Sequence, residues 1–318
     1  MLPLTVSATA PGKVNLYFAV GPVKPDGYHD VASLYAAVDI FETVTISETD
    51  TPGIAQSMSV VAGSLVDQLM QAGHFDPASV PLNESNLAYR GALAVLTEAG
   101  LTAQDVSLQL HIDKAVPVAG GMGGGSADAA AAMKATNAYL VESGRLAQHV
   151  PQERLLELAA PLGADVPFAL LGGLAVGEGI GDKLTPISLP SGIEPLRLVL
   201  SASPIGLSTP AVFKELDAGR QRGTYPEAGE LKVPEALIGA LTSTGSHRAQ
   251  TVARLLRNDL AAPAAALHPD VQQRLDTGLG AGELAGFVSG SGPTVGFIVG
   301  DLVFESPAGH TVMCSLSS

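Results

Sequence analysis

Residues 117–128 read Pro-Val-Ala-Gly-Gly-Met-Gly-Gly-Gly-Ser-Ala-Asp, with five glycines inside six positions. Val106, Leu108, Leu110 and Ile112 alternate just before them, and an alanine-rich run follows. The pattern predicts a strand, a glycine loop and a helix over 126–142. Glycines let backbone N–H groups approach an anion closely, because no Cβ intervenes. The helix beyond directs the positive end of its dipole to the same place. The loop is therefore expected to hold a phosphate group. A flexible linker is the weaker alternative, since it would not be flanked so closely by strand and helix patterns. The Walker A pattern fails, because no lysine follows these glycines. A dinucleotide site would need an acid about 20 residues on, at the end of a second strand. Glu142 lies near that distance but falls late in the helix pattern.

Length and composition narrow the possibilities. A chain of 318 residues exceeds most single cores and predicts two domains, with a boundary at Pro190-Ser191-Gly192. The expected domains are residues 1–192 and 193–318. Charged residues make up 15% and hydrophobic ones 46%, which indicates a packed protein. The formal net charge of −14 argues against a nucleic-acid partner. A polyphosphate would have to be attracted locally, by amides, a few lysines and a metal ion. The single cysteine, Cys314, excludes a disulfide framework. With no signal-peptide pattern and no membrane-length apolar run, a cytoplasmic location is expected, with no membrane partner.

Residues 4–20 suggest two short strands around a turn at Pro11-Gly12. Pro25-Asp26-Gly27 is a turn signal, and Val44 and Ile46 mark a strand. Residues 50–85 read as mostly loop with a helix over 62–72. A helix follows Ser85 and Asn86, which are good N-cap types. Further helices are expected over 152–160, 235–260 and 268–279, with Gly280 as a C-cap. Gly172-Gly173, Gly177, Gly179 and Gly181 punctuate two strands, and Leu196, Leu198 and Leu200 mark another. Residues 219–234 read as a surface loop. A second glycine turn, residues 289–294, precedes an alternating strand at Val295, Phe297 and Val299.

Three further segments carry candidate chemistry. Lys13 and Asn15 lie two apart, so on a strand they share a face. They could bind an oxyanion, or simply be solvated. Tyr28 and His29 follow a tight turn, where an aromatic pair could stack on a base or pack back on the core. Asp165 sits among small and apolar residues, so it is expected to be at least half-buried. It could be a helix N-cap, or an acid paired with a lysine such as Lys13. Together these parts suggest phosphoryl transfer, in which positioning and charge stabilisation dominate.

The segments at 10–16, 26–29, 86–87, 112–114, 117–128, 163–167 and 289–294 occur in an order that resembles the GHMP kinase superfamily of galactokinase, homoserine kinase, mevalonate kinase and phosphomevalonate kinase. The Lys13 segment, the Asp26-Gly27-Tyr28-His29 turn and residues 163–167 point to its branch acting on a cytidine-diphosphate-linked small molecule. The resemblance implies an α+β fold of two domains, ATP-binding and catalytic over 1–192 and GHMP C-terminal over 193–318, with the active site in the cleft between them. It implies a kinase using ATP and Mg2+, with no obligate protein partner. Asp165 would be the catalytic acid/base, and Lys13 would favour its ionised form and stabilise the transferring phosphoryl. Asn15 would contact substrate. Tyr28 and His29 would bind the cytosine end, with Phe213 stacking on the ring and Thr209 nearby. Asn86 and Lys114 would lie at the adenine pocket. Pro117, Val118, Ala119, Gly120, Gly121, Met122, Gly123, Gly124, Gly125, Ser126 and Ala127 would wrap the triphosphate, with Ser126 near magnesium. Ser291, Gly292 and Thr294 would close the site. Two departures stand out: Ala127 replaces a second serine found in many members, and residues 300–318 leave only a short tail, expected to be abbreviated or altered. A different kinase of the superfamily is the nearest alternative, disfavoured by Tyr28 and His29. A noncatalytic nucleotide sensor is disfavoured by the presence of Lys13 and Asp165.

Overall fold

A computed structural model describes residues 3–245, 247–279, 284–299 and 311–316. In chain order the first elements are β1 (Thr5–Val23), β2 (His29–Glu48), β3 (Gly53–Val60), α1 (Leu65–Gln71), α2 (Leu87–Glu98), β4 (Ser107–Lys114) and α3 (Gly124–Glu142). There follow α4 (Gln152–Ala159), α5 (Val166–Leu171), β5 (Leu174–Glu178), β6 (Lys183–Ile187), β7 (Arg197–Ser201) and α6 (Thr209–Gln221). The last are α7 (Glu235–Thr242), α8 (Arg248–Leu255), β8 (Arg257–Asn258), α9 (Ala261–Leu267), α10 (Pro269–Leu279), β9 (Ala285–Val288), β10 (Val295–Ile298) and β11 (Thr311–Ser315). The chain forms two compact units, and β1 and β2 each contribute to both.

The first unit holds residues 3–12, 40–116 and 123–171. Its strands β2 and β4 pair antiparallel from Thr43↔Asp113 to Glu48↔Leu108, while β3 runs parallel to β4. Period-two alternation sends Leu108, Leu110 and Ile112 into the core. His111 and Gln109 point the other way and bond Ser57 on β3. Helices α2 and α3 cover the apolar face. A Cβ at Gly91 of α2 would stand 2.6 Å from the Ala129 carbonyl oxygen of α3, so glycine is what lets the two helices touch. Ala129, Ala130, Ala131 and Ala132 are fully buried there.

The second unit holds residues 13–39, 117–122 and the described residues from 172 onward. Here β2 pairs antiparallel with β5, β5 and β6 form a hairpin, and β1 pairs in parallel with β8 through Tyr17↔Arg257. A four-stranded sheet of order β11-β7-β10-β9 completes it. Phe18, Val20, Val212, Leu216, Leu260 and Phe297 are among its core residues. Arg220 at the end of α6 donates to the Val20 and Gly21 carbonyls at 2.9 and 3.0 Å, tying that helix to β1.

Three expectations need correction. Residues 4–20 are not two strands around a turn: β1 is continuous, because Lys13 N–H donates to the Met122 carbonyl at 3.0 Å and keeps the backbone extended. Residues 53–60 are a strand, pulled into register by β4 although only half-buried. Helix 235–260 is broken into α7 and α8, and then Leu256 turns extended so that β8 can reach β1. In the tail, β11 pairs antiparallel with β7 from Thr311↔Ser201 to Ser315↔Arg197. The expected C-cap at Gly280 and residues 300–310 lie outside the described residues.

Candidate active site

The first glycine loop joins β4 to α3. Gly123 is the N-cap of α3 and adopts φ +70°, so no side chain caps the first helical amides. Gly121 lies at φ +79°, and Ala119, at φ +53°, adopts the same left-handed region without being glycine. A Cβ on Gly121 would overlap the Ser289 carbonyl oxygen, and one on Gly120 would sit 3.0 Å from Thr294 Oγ1. These two glycines are therefore required by the second glycine turn, residues 289–294. Thr294 N–H donates to the Gly120 carbonyl at 3.2 Å, and Ser289 Oγ donates to the Gly121 carbonyl at 3.0 Å. Thr294 Oγ1 is buried and has no hydrogen-bond partner among the described residues.

Lys13 and Asn15 do share a face of β1, and it is not a solvated one. Both are buried. Lys13 Nζ donates to Asn15 Oδ1 at 2.8 Å, Asn15 Nδ2 donates to Ser33 Oγ at 2.8 Å, and the Lys13 ammonium stands 5.7 Å from the Tyr35 ring centroid. A Cβ on Gly290 would lie 3.2 Å from both Lys13 Nζ and Asn15 Oδ1. The second glycine turn thus packs against this amide and ammonium.

Helix α6 carries Thr209, Phe213 and Asp217 at successive four-residue steps, hence on one face. Thr209 Oγ1 lies 2.8 Å from Ser291 Oγ. The Phe213 ring is 5.0 Å from the His29 ring at 36°. His29 Nε2 lies 2.9 Å from Asp217 Oδ1, with the imidazole buried. Tyr28, by contrast, is 61% exposed rather than packed on the core, and its N–H donates to Asp26 Oδ1. Asp217 escaped the sequence reading; its spacing from Phe213 was the available signal.

Asp165 is half-buried and immediately precedes α5, where its carbonyl accepts from Ala169 N–H at 3.1 Å. Asn86 caps α2: its Oδ1 accepts from Ala88 N–H at 2.8 Å, and its Nδ2 donates to the Pro81 carbonyl at 2.7 Å. The Lys114 ammonium is fully buried between Glu42 and Asp128, at 2.7 Å from each. Its charge faces two internal carboxylates. Ser126 is half-buried in the first turn of α3. The Ala127 methyl is buried in the core, and its N–H closes the helix by donating to the Gly123 carbonyl at 2.8 Å. Glu42 and Asp128 also escaped the sequence reading, because nothing local marks a charge that pairs across the fold.

A glycine loop ahead of a long uncapped helix can cradle a polyphosphate. The comparisons with known proteins show the family. The description "GHMP kinases N terminal domain" matches residues 86–173, and "GHMP kinases C terminal" matches residues 237–303. A protein of Paenarthrobacter aurescens (strain TC1), named 4-diphosphocytidyl-2-C-methyl-D-erythritol kinase, is 43% identical over 302 residues, covering 95% of this chain and 88% of the relative. The chain belongs to the GHMP kinase family. Another GHMP kinase with that name, from Pseudarthrobacter chlorophenolicus, is 44% identical over 94% of this chain and 86% of its own length. Among solved structures, a 4-(cytidine 5'-diphospho)-2C-methyl-D-erythritol kinase matches with a TM-score of 0.67 and 26% identity, covering 98% of this chain and 99% of that one. Homoserine kinase from Cytophaga hutchinsonii shares the fold at 17% identity, with a TM-score of 0.62 over 97% of each chain. As a GHMP kinase the chain is an ATP-dependent small-molecule kinase of mixed α and β structure. Among the described residues, no helix is long and apolar enough to cross a membrane.

Proposed function

We propose that this kinase transfers the γ-phosphoryl group of ATP to the 2-hydroxyl of 4-diphosphocytidyl-2-C-methyl-D-erythritol, in the cytoplasm, as a step of non-mevalonate isoprenoid synthesis. The observation that carries the reading is the contact of His29 with Phe213 and Asp217. An imidazole and a phenyl ring held together by a helix face suit a flat base with polar edges. The names of relatives above 40% identity support the same substrate. The family matches on either side of Pro190-Ser191-Gly192 support residues 1–192 as the ATP-binding part and 193–318 as the C-terminal part.

In this reading Asp165 takes the proton of the attacking hydroxyl, and the O–P bond to the γ-phosphorus forms as the bond to ADP breaks. Lys13 stabilises the charge on the transferring phosphoryl, and Asn15 holds Lys13 while contacting substrate. Residues 117–127 wrap the triphosphate; Pro117 has no N–H and the Ala127 N–H closes the helix, so the amides between them bind the phosphates. Asn86 and the backbone at Lys114 border the adenine, and Tyr28, His29, Phe213 and Thr209 receive the cytosine end. Ser291, Gly292 and Thr294 close the site and contact substrate.

A magnesium ion fits the residues present. Hard cations of this size keep few protein ligands and bind mainly through nucleotide oxygens. Ser126 is the hydroxyl offered at the start of α3, while Asp128 is already engaged by Lys114. When bound, the ion would neutralise phosphate charge.

A coupled assay of ADP release tests the reading, with the cytidine substrate, mevalonate and homoserine compared side by side. Turnover with the cytidine substrate at least about 100-fold above the other two is expected. Comparable rates with mevalonate or homoserine would assign the chain to another branch.

A further inference from the structure

Whatever α3 does for a phosphate depends on where its N-terminus points. The link from β4 to α3 is residues 115–123, rich in glycine, and such a chain has too much freedom to fix the helix by itself. A buried side chain adds a directed hold at the β4 end. Glu42 of β2 accepts from Lys114 Nζ at 2.7 Å and Val116 N–H at 3.1 Å through Oε1, and from Ala115 N–H at 3.0 Å through Oε2. Lys114 Nζ then donates to Asp128 Oδ2, in the second turn of α3, at 2.7 Å. One carboxylate thus holds the last residue of β4 and the first two amides of the loop, and the ammonium carries the hold onto the helix.

This arrangement is a poor way to gain stability. Two carboxylates share one ammonium, with exposures of 0%, 1% and 6%, and Asp128 Oδ1 has no hydrogen-bond partner among the described residues. Apolar side chains of similar volume commonly stabilise such a site at least as well. What ions offer here is direction, because each bond fixes one atom against another.

We propose that Glu42 is a positioning residue for ATP: through Lys114 and Asp128 it fixes the start of α3 against the end of β4, and so aims the helical amides at the phosphates. It touches neither substrate. The inference rests on the reading of residues 117–126 as the ATP phosphate site.

The test uses the full chain. Glu42→Gln keeps an acceptor for the loop amides but removes the charge that holds Lys114. ATP affinity is measured by titration calorimetry at about pH 8.5, where the Glu42 carboxylate is ionised, without the alcohol substrate and alongside KM for each substrate. Ile112→Val, a loss of packing in the same core, serves as a control for general destabilisation. ATP Kd and KM are expected to rise about tenfold in Glu42→Gln, with KM for the cytidine substrate within twofold of wild type and Ile112→Val near wild type for both. ATP affinity unchanged in Glu42→Gln overturns the proposal, as does an equal rise for both substrates that Ile112→Val reproduces. If Glu42→Gln yields no folded protein, Glu42→Asp, which keeps the charge but is one methylene too short to reach Lys114, Ala115 and Val116 together, is held to the same outcomes. Wild-type protein that binds no ATP would instead overturn the reading of the loop, and the inference with it.

Discussion

At the scale of single residues, the site depends on atoms that are missing as much as on those present. Gly121 faces the Ser289 carbonyl with no room for a methyl group. Gly121→Ala should push residues 289–294 away, lowering kcat/KM at least about tenfold, a cost of ~1.4 kcal/mol. Far-UV circular dichroism should stay unchanged, which separates this effect from unfolding. Asp217 accepts from the buried His29 ring. Removing it leaves an imidazole nitrogen with no partner, so Asp217→Ala should raise KM for the cytidine substrate by about 5- to 30-fold, on the order of 1–2 kcal/mol. KM for ATP should not move, and steady-state kinetics in both substrates will tell. Asp165→Asn should fold with a normal melting curve and lose nearly all turnover. Wild-type kcat in that variant would remove Asp165 from the acid/base role.

At the scale of elements, the close contact of α2 with α3 sets where the first glycine loop ends. The Ala129 carbonyl lies where a Gly91 side chain would begin. Gly91→Val should force the helices apart and cost about 1–3 kcal/mol, read as a lower urea midpoint. Elements with a local signature were legible from the sequence. The passage from alternating Leu108, Leu110 and Ile112 through glycines to the alanines of α3 announces strand, loop and helix without help from the rest of the chain. Asn86 likewise proved to be the cap its residue type suggested. What stayed hidden was decided at a distance. Pro11-Gly12 looks like a turn, yet a carbonyl at Met122 holds it extended. Residues 53–60 lack a strong apolar stripe and become a strand only because β4 offers an edge. The roles of Asp217 and Glu42 arise from side chains 188 and 72 residues away along the chain, and no window of sequence contains both members of either pair.

At the scale of the whole molecule, the buried charges couple stability to pH. Burial pushes the Glu42 carboxyl from 4.5 up to about 7, against the attraction of Lys114. Between those values the folded chain holds a proton that the unfolded chain has released, so stability falls as pH rises through the interval and levels off above it. Glu42→Gln cannot titrate. Subtracting its melting temperature from that of wild type at each pH should therefore give a difference that shifts against wild type between about pH 4.5 and 7. A flat difference would mean that the carboxylate stays ionised throughout.

The parallel pairing of Tyr17 and Phe18 with Arg257 and Asn258 also bears on how the chain is made. Synthesis runs from the N-terminus, and the two sides of this pair are 240 residues apart. At about 5–20 residues per second, β1 waits roughly 10–50 seconds on the ribosome before its neighbour exists. During that interval its hydrogen-bonding edge is open to any other strand that passes. Newborn copies emerging side by side on one messenger are thus each other's nearest hazard, and slower initiation, which spaces them out, should raise the soluble yield.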